Sequence, residues 1–348
     1  MIRGVYMATT NDDVILSVQN LSTAFATSSG RVDAVRGVSF DLHRGEVLGI
    51  VGESGSGKTV TSMSILKLLA DTGSIVGGRI EFDGLDLVSA DKKRLRKIRG
   101  GKISMIFQDP MSSLNPTMTI GAQVSEIIEE HKQGLSRKQL KEEVLRLLRL
   151  VRIPEAEKRF SSYPHEFSGG MRQRVMIAIA LACRPDILIA DEPTTALDVT
   201  IQEQILKLLR GLREETNMSI IFITHDLGVV AELCSRVVVM YGGMILEQAL
   251  VDDIFERPSH PYTIGLLASV PNMTQDKGRR LQSIPGSPPD MLRPPKGCPF
   301  APRCPYTRNI CVADMPPTSL IRPRHSAACW LLLPEAPGGN NPFKPAEV

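Results

Sequence analysis

The chain of 348 residues contains no long apolar run. Its longest strictly apolar stretch, VMIAIALAC at 175–183, is about half of what a helix needs to cross a bilayer. The first thirteen residues, MIRGVYMATTNDD, lack the apolar core of a signal peptide. We therefore expect a cytosolic chain that meets a membrane only through its partners.

A large excess of either charge is also missing. The net charge is +3, so composition gives no reason to expect binding to nucleic acid. The densest basic run, DKKRLRKIRGGK at 91–102, places Leu95 and Ile98 three residues apart. This spacing favours the solvated face of an amphipathic helix over a stripe that binds phosphates.

Cysteine is scarce except in the Pro-rich tail. Of six cysteines, Cys183 and Cys234 lie in apolar stretches typical of a core. The other four are Cys298, Cys304, Cys311 and Cys329. In a cytosolic chain a disulfide framework is disfavoured, which leaves a metal site or free thiols.

What is present is a glycine-rich loop between a short strand and a helix. The stretch VLGIVGESGSGKTVTSMSILKLLA (47–70) runs from an apolar strand into a match to G-x-x-x-x-G-K-[ST] at 52–59. In such a loop backbone N–H groups surround phosphate oxygens at a helix N-terminus. Lys58 would reach the β- and γ-phosphates and Thr59 would bind Mg²⁺. The predicted nucleotide ligands here are Gly52, Ser54, Gly55, Gly57, Lys58, Thr59 and Val60; the alternative is a Gly/Ser-rich turn that matches by chance.

Two further apolar stretches end in polar side chains. ILIADE at 187–192 ends in two acids, and a strand buried on both faces can present carboxylates only at its end. Asp191 fits a Mg²⁺ ligand, and Glu192 fits a carboxylate that polarises an attacking water. SIIFITHD at 219–226 leads to His225, and ISMIF at 103–107 leads to Gln108. These residues predict one constellation at one edge of a parallel sheet.

The stretch FSGGMRQR at 167–174 predicts a second anion-binding helix terminus. Ser168, Gly169 and Gly170 precede a helix-like run. One nucleotide does not need two such termini, whereas two chains that face each other would use both.

Taken in order, these motifs resemble the ATP-binding subunit of an ABC transporter over residues 14 to about 250. The matching motifs are Walker A (52–59), the Q-loop Gln108, the signature (168–170), Walker B (187–191) with Glu192, the D-loop Ala196-Leu197-Asp198 and the switch His225. The signature departs from the usual Leu-Ser-Gly-Gly-Gln, because Phe167 replaces Leu and Met171 replaces Gln. Met171 cannot hydrogen-bond as Gln does, so the ATP site that this signature completes is expected to be the weaker of two.

The resemblance implies an α/β P-loop ATPase that binds ATP and Mg²⁺. Catalysis is assigned to Glu192, His225 and Gln108, and Mg²⁺ binding to Thr59, Gln108 and Asp191. Phe25 is expected to stack on adenine, with a core Phe as the alternative. Two chains would sandwich two ATP molecules, so Ser168, Gly169 and Gly170 would touch nucleotide held by the partner.

A helical insertion is predicted at about 110–175. Ser136 and Gln139 form a capping-box pattern, and Leu140, Val144, Leu145 and Leu148 follow at helical spacing. The insertion resembles the helical subdomain through which these ATPases grip membrane subunits. Helices packed only on their own sheet are the alternative.

The tail carries a more specific resemblance. RPSHPYTIGLLASVP (257–271), IPGSPPD (284–290) and the four cysteines resemble the C-terminal extension of oligopeptide, dipeptide and nickel importers. We expect an ATPase domain at 14–255, an irregular, metal-stapled extension at 256–335, and flexible tails at 1–13 and 336–348.

The importer resemblance also implies partners and a location. The partners are a second ATPase subunit, which the Met171 departure suggests is a paralogue, two membrane permeases and, indirectly, an extracytoplasmic solute-binding protein, with no nucleic acid. The chain would be a peripheral protein at the cytoplasmic face of the bacterial inner membrane and would power peptide import. The alternatives are a nickel or other small-solute importer, a soluble ABC ATPase without a transport role, and a regulatory subunit that binds nucleotide without turnover.

The four clustered cysteines lack any C-x₂-C pair, which argues against a zinc ribbon. Importers with this tail carry a [4Fe–4S] cluster there, and Pro299 and Pro305 directly follow two ligand candidates, as Pro does in ferredoxin-like runs. Zinc and free thiols are the alternatives. His325 is either a spare ligand or a surface residue. ATP binding is expected to be largely independent of these cysteines.

Overall fold

The computed structural model describes residues 13–109, 113–132, 134–195, 197–269 and 283–333. Their strands form two sheets. The strands are β1 (Val14–Thr27), β2 (Gly30–His43), β3 (Val47–Val51), β4 (Gly73–Phe82), β5 (Leu85–Asp86), β6 (Ile103–Ile106), β7 (Ile187–Asp191), β8 (Ser219–Thr224), β9 (Arg236–Tyr241), β10 (Met244–Leu250), β11 (Ser319–Arg322) and β12 (His325–Ala327).

The first sheet is antiparallel, in the order β2-β1-β4-β5. The second has the order β11-β12-β10-β9-β3-β8-β7-β6, and its centre from β9 to β6 is parallel. β10, β12 and β11 extend it with antiparallel pairs.

The helices pack around these sheets. They are α1 (Lys58–Ile65), α2 (Lys92–Ile98), α3 (Ile120–His131), α4 (Arg137–Leu150), α5 (Ala156–Arg159), α6 (Gly169–Leu181), α7 (Val199–Thr216), α8 (Leu227–Leu233), α9 (Val251–Glu256), α10 (Pro261–Ala268) and α11 (Asn309–Ala313). Short 3₁₀ turns occupy Pro164–Glu166, Ala301–Arg303 and Trp330–Leu332. Within the ranges given above, no helix combines the length and the apolar character that crossing a bilayer requires.

The parallel strands β3, β7, β8 and β9 are apolar between their end residues because both of their faces are buried. Every residue of β3, β7, β8 and β9 is buried. In β3, Leu48 and Ile50 point into the core shared with the antiparallel sheet, whereas Val47 and Val51 point into the core on the opposite side. Unbroken apolar runs are what strands covered on both faces require.

Two helical predictions are confirmed, those for the basic run and for the helix that follows Ser136. Leu95 and Ile98 are the buried residues of α2, so the basic run is the solvated face of a helix. Ser136 and Gln139 form a reciprocal capping box at the start of α4. The four apolar residues predicted for that helix are all buried.

The C-terminal extension is less irregular than predicted, because its two strands join the main sheet. β12 pairs with β10, placing Glu247 opposite Ala327. The extension also shares the domain's core, in which Cys298, Phe300 and Ala301 are buried. Apart from Asp13, the predicted tails lie outside the described residues, as do 270–282 within the extension.

His325 is not the surface residue that we considered, and its role as a spare metal ligand stays a prediction. Its side chain is fully buried, and its Nε2 lies 2.8 Å from Oε1 of Glu247. The same carboxylate accepts hydrogen bonds from the backbone N–H groups of Ser259 at 2.7 Å and His260 at 3.0 Å. His325 therefore ties β12 to β10 and to the start of α10.

Candidate nucleotide site

The polar residues predicted to form one constellation follow strands that are neighbours in the sheet. β3 lies between β9 and β8, and β7 lies on the other side of β8. The phosphate loop follows β3, His225 follows β8, and Glu192 follows β7. Because these strands are parallel, their carboxyl ends meet at one edge, where open α/β sheets bind ligands.

The phosphate loop depends on two glycines that no other residue could replace. Gly52 has φ +150°, and a Cβ there would lie 2.1 Å from the carbonyl oxygen of Met240. Gly57 has φ +99°, and a Cβ would lie 2.6 Å from the carbonyl oxygen of Ala34. Ser54 and Gly55 form the exposed tip, and Val60 is partly buried in α1.

Lys58 is a cation held out of water. Its side chain is only 6% exposed, and Nζ donates to the carbonyl oxygens of Gly52 at 2.8 Å and Glu53 at 3.0 Å. Burial lowers the pKa of Lys58, while the nearby carboxylates of Glu192 and Asp191 act in the opposite direction. A bound phosphate would supply the negative charge that this desolvated ammonium lacks.

Thr59 and Asp191 adjoin each other as the proposed Mg²⁺ ligands. Thr59 Oγ1 donates to Asp191 Oδ1 at 3.2 Å, and Asp191 is 1% exposed. Burial raises the pKa of Asp191, with a smaller opposing effect from the Thr59 hydrogen bond. A hydroxyl and a buried carboxylate at the end of a strand suit a hard cation, which would stabilise the charged form of Asp191.

The carboxylate of Glu192 contacts the other two residues that were predicted to be catalytic, Gln108 and His225. Its Oε2 accepts from Gln108 Nε2 at 3.0 Å and from Thr195 Oγ1 at 2.9 Å. His225 Nδ1 lies 3.3 Å from Oε1. Glu192 has φ +47°, an uncommon conformation for a side-chain-bearing residue that turns the chain sharply after β7. The sequence thus predicted correctly that Gln108, Glu192 and His225 come together.

The signature forms a helix N-terminus, as predicted. Ser168 is the N-cap of α6, and its side chain accepts from the backbone N–H of Met171 at 3.4 Å. Ser168 and Gly169 are exposed, and a Cβ on Gly169 would lie more than 4 Å from any described residue outside its own helix turn and chain neighbours. Phe167 is 3% exposed in the core, and Met171 packs partly buried against it. Ala196 of the predicted D-loop lies outside the described residues.

Phe25 is partly buried on β1. A Cβ on its strand neighbour Gly73 would lie 2.6 Å from the ring, so glycine makes room for this aromatic side chain. Stacking on adenine stays a prediction.

The four clustered cysteines line one cavity with His260, Phe300, Trp330 and Leu331. All four thiols are free. Backbone N–H groups two residues further along, those of Phe300, Tyr306 and Leu331, donate towards the sulfurs of Cys298, Cys304 and Cys329. Within the described residues no three His, Cys, Asp or Glu side chains form a group suited to holding a metal ion.

The electrostatics of the cysteine cavity favour neutral thiols in the absence of a metal. Burial raises the pKa of Cys298 to about 11 and that of Cys329 to about 12, and it also raises the pKa of Cys304. The neighbouring sulfurs add to these increases. The N–H groups act in the opposite direction, since they stabilise thiolates, the form that binds metal.

Some residues at the nucleotide site were missed by sequence reasoning. The hydroxyl of Ser56, inside the phosphate loop, is buried and has no hydrogen-bond partner among the residues that the structure describes. Glu53 in the same loop is bound by Arg303 of the extension, 250 positions away. The motif leaves both Glu53 and Ser56 as unspecified positions, and nothing local in the sequence pairs Glu53 with Arg303.

Comparison with known proteins supports the same interpretation. A family model described as ABC transporter matches residues 35–195, and a model described as the oligopeptide/dipeptide transporter C-terminal region matches 246–311. The dipeptide transport ATP-binding protein DppD of Bacillus subtilis is 54% identical over 318 residues, which are 91% of this chain and 94% of that protein. The oligopeptide transport ATP-binding protein OppD of Escherichia coli is 51% identical over 326 residues, or 94% and 96% of the two chains.

Solved structures share the fold of the ATPase core. A dimeric ATP-binding cassette, solved in a post-hydrolysis state with ADP and Pi, is 29% identical with a TM-score of 0.62 and covers 68% of this chain and 98% of that one. The cassette cbiO1 of Clostridium perfringens is 30% identical with a TM-score of 0.60, covering 71% and 92%. The chain therefore belongs to the ATP-hydrolysing, ATP-binding proteins of the ABC transporter family, in the branch that carries the oligopeptide/dipeptide transporter C-terminal region.

Proposed function

We propose that this chain is the ATP-hydrolysing subunit of an ABC transporter that imports di- or oligopeptides. The observation that carries the hydrolytic part is the meeting of Lys58, Thr59, Asp191 and Glu192 at one edge of the sheet. Support for the peptide part comes from relatives above 50% identity that are named as dipeptide or oligopeptide transport proteins.

In the proposed reaction each residue has a separate task. Lys58 exchanges its loop carbonyl partners for the β- and γ-phosphates, while Thr59 and Asp191, with Gln108 as a further ligand, hold Mg²⁺. When bound there, Mg²⁺ would supply neutralisation of the charge that develops on the phosphates. Glu192 orients the attacking water and takes up its proton, and His225 contacts the γ-phosphate.

Two such subunits are proposed to act as a head-to-tail pair. The exposed N-terminus of α6 at Ser168 offers N–H groups to phosphate held by another chain. A related cassette solved as a dimer supports this arrangement. Because Met171 is apolar, the ATP site that this signature completes is expected to differ from the other site. A paralogous partner with its own signature would account for that difference.

The ATPase pair would act on two membrane permeases, with an extracytoplasmic solute-binding protein delivering the peptide. Gln108 supports this coupling, because it contacts Glu192 and lies just before the helical part of the chain formed by α3 to α6. Loss or gain of the γ-phosphate at Glu192 would shift this helical part, which would grip the permeases. The chain would thus sit peripherally at the cytoplasmic face of the inner membrane.

The cysteine cavity is proposed to hold a [4Fe–4S] cluster bound by Cys298, Cys304, Cys311 and Cys329. The four thiols border the same cavity, and backbone N–H groups directed at three of the sulfurs suit cluster ligands. A single zinc ion binds each thiolate sulfur at a Zn–S distance of about 2.3 Å, so all four sulfurs have to converge on one point. A cluster binds each sulfur to a different iron and so accepts ligands that stand farther apart, which favours it over zinc. The cluster would act as a structural staple for the extension.

Peptide import can be tested in proteoliposomes that contain the ATPase pair, the permeases and the solute-binding protein. Labelled tripeptide should accumulate only with ATP, and Lys58→Ala in this subunit should reduce uptake at least about tenfold. Uptake of Ni²⁺ without peptide uptake would contradict the peptide assignment. Peptide uptake that persists unchanged with Lys58→Ala would contradict the nucleotide site.

The cluster can be tested on protein purified without oxygen. We expect brown protein with broad absorbance at about 400 nm. It should contain about four iron and four sulfide ions per chain. Replacing any one of the four cysteines with Ser should bleach it, whereas Cys183→Ser, outside the cavity, should not. Colourless protein with one zinc would contradict the cluster but retain a metal staple, and four readily alkylated thiols would contradict both.

A further inference from the structure

The second residue of the phosphate loop is held by the C-terminal extension. Glu53 lies between Gly52 and Ser54, and the guanidinium of Arg303 donates to both of its carboxylate oxygens, at 2.6 and 3.1 Å. The backbone N–H of Glu53 donates to the hydroxyl of Tyr262 at 2.9 Å. Side chain and backbone of Glu53 are thus both bound by residues that follow the ATPase domain in sequence.

Arg303 uses every N–H group that it has. Besides the two bonds to Glu53, it donates to the hydroxyl of Tyr241 at 3.0 Å, to the carbonyl oxygen of Ile284 at 3.0 Å and to that of Pro285 at 2.8 Å. A guanidinium has five N–H donors, so none is left over. The Arg303 side chain is 6% exposed and that of Glu53 is 26% exposed, so this bidentate pair is partly buried rather than fully solvated.

The carboxylate of Glu53 matters for phosphate binding because of its position. The charge of Glu53 acts on Lys58, whose ammonium also binds the carbonyl oxygen of Glu53. That carbonyl oxygen accepts a further bond from the N–H of Ser56 at 3.2 Å. A carboxylate without its guanidinium would repel the phosphates, and the first turn of the loop would lose one of the contacts that hold it in place.

We propose that Arg303 is a positioning residue for the phosphate loop. Through Glu53, it couples the cysteine-bearing segment (residues 283–333) to ATP affinity. Arg303 directly precedes Cys304, and Pro288, Pro289 and Met291 of the same extension border Ser54 and Gly55. A change in how this segment is held therefore reaches the loop. This revises our expectation that ATP binding is independent of the cysteines, and it rests on the proposed binding of ATP at this loop.

A double-mutant cycle on the full chain tests whether Arg303 acts through Glu53. Its readout is the Kd of a fluorescent ATP analogue. Arg303→Met should weaken binding at least about tenfold, equivalent to about 1.4 kcal/mol. In the Glu53→Gln background the same change should cost less than about threefold, because no carboxylate remains to be neutralised. Arg303→Lys, which keeps the charge but not the fork, should restore affinity only in part. In the assembled transporter, Arg303→Met should raise KM for ATP and leave kcat within about threefold.

The controls separate this inference from the proposed function. Arg293→Met removes an exposed arginine of the same segment and should leave the Kd unchanged. An equal loss of ATP-analogue affinity from Arg303→Met in both backgrounds would show that Arg303 acts only by docking the extension. That result would contradict an action through Glu53. An unchanged Kd in Lys58→Ala would instead contradict ATP binding at the loop. If Arg303→Met does not fold, the comparison is made with Arg303→Lys in the same two backgrounds.

The coupling to the cysteines has its own test. Cys304→Ser should weaken ATP-analogue binding at least about threefold in the wild-type background and leave it unchanged with Glu53→Gln. Loss of bound iron without any change in Kd would contradict the coupling.

Discussion

At the scale of single residues, the neighbours of Glu192 hold in place the carboxylate that we propose as the base. Its side chain is 15% exposed, and it accepts hydrogen bonds from Gln108 and Thr195 while His225 stands 3.3 Å away. These contacts fix the direction of the carboxylate before nucleotide arrives. A water placed between Glu192 and the γ-phosphate would replace one of them, so little reorganisation is needed.

Glu192→Gln should leave ATP binding intact while hydrolysis falls by about two to four orders of magnitude. The amide keeps the shape of the side chain but cannot take up a proton from water. Phosphate release by the assembled transporter and the Kd of an ATP analogue measure the two effects. Glu203→Gln, on an exposed face of α7, is the matched control and should change neither. Turnover close to wild type would rule out Glu192 as the base.

At the scale of elements, a buried carboxylate joins the extension to the ATPase core. Glu247 on β10 and His325 on β12 are both fully buried, and Glu247 also receives the N–H groups of Ser259 and His260 at the start of α10. A short strand such as β12 has few ladder bonds of its own. Glu247 therefore supplies much of what holds β12 and α10 in place.

Glu247→Ala should lower the free energy of unfolding by about 3–5 kcal/mol, because it leaves His325 and two N–H groups buried without an acceptor. Glu247→Gln should lower it by about 1–3 kcal/mol, since the amide retains one acceptor. Urea unfolding measures both, and protease cleavage within 283–333 should rise in the same order. Glu203→Ala, which breaks an exposed pair with Lys207, should have almost no effect. Equal stability of Glu247→Ala and wild type would contradict this role.

At the scale of the whole molecule, the chain has two helix N-termini suited to anions, which the proposed pair assigns to different ATP molecules. The phosphate loop is completed within the chain, whereas the N-terminus of α6 at Ser168 is exposed. In the proposed head-to-tail pair, one chain would be half of each of two sites, so its ATPase activity should depend on its partner.

Ser168→Arg should leave the Kd of an ATP analogue for the isolated chain within about threefold but reduce hydrolysis by the assembled pair at least about tenfold. The bulky cation would occupy the space where the partner's nucleotide meets the helix terminus. Ser161→Arg, an exposed serine nearby, is the control for added charge and size. Weaker binding by the isolated chain would indicate that Ser168 serves the chain's own nucleotide, which would contradict the head-to-tail pair.

Local patterns in the sequence predicted several of the elements and the residues that meet at the candidate nucleotide site. The strand at Val47–Val51, the capping box at Ser136 and the buried face of α2 were all predicted, because each depends on residues a few positions apart. The positions of Glu192 and His225 at one edge of the sheet were also predicted from local patterns. They follow apolar runs that can only be inner strands of a parallel sheet, whose ends meet at one edge.

Only the tertiary structure decided how the extension meets the ATPase core. His325 belongs with Glu247, 78 positions away, and Arg303 with Glu53, 250 positions away. Such pairs follow no periodicity, since they form where β12 joins the sheet and where the cysteine-bearing segment folds back on the phosphate loop. Hydrophobic spacing encodes which face of an element is buried, but it does not encode which charged side chain will lie opposite it after folding.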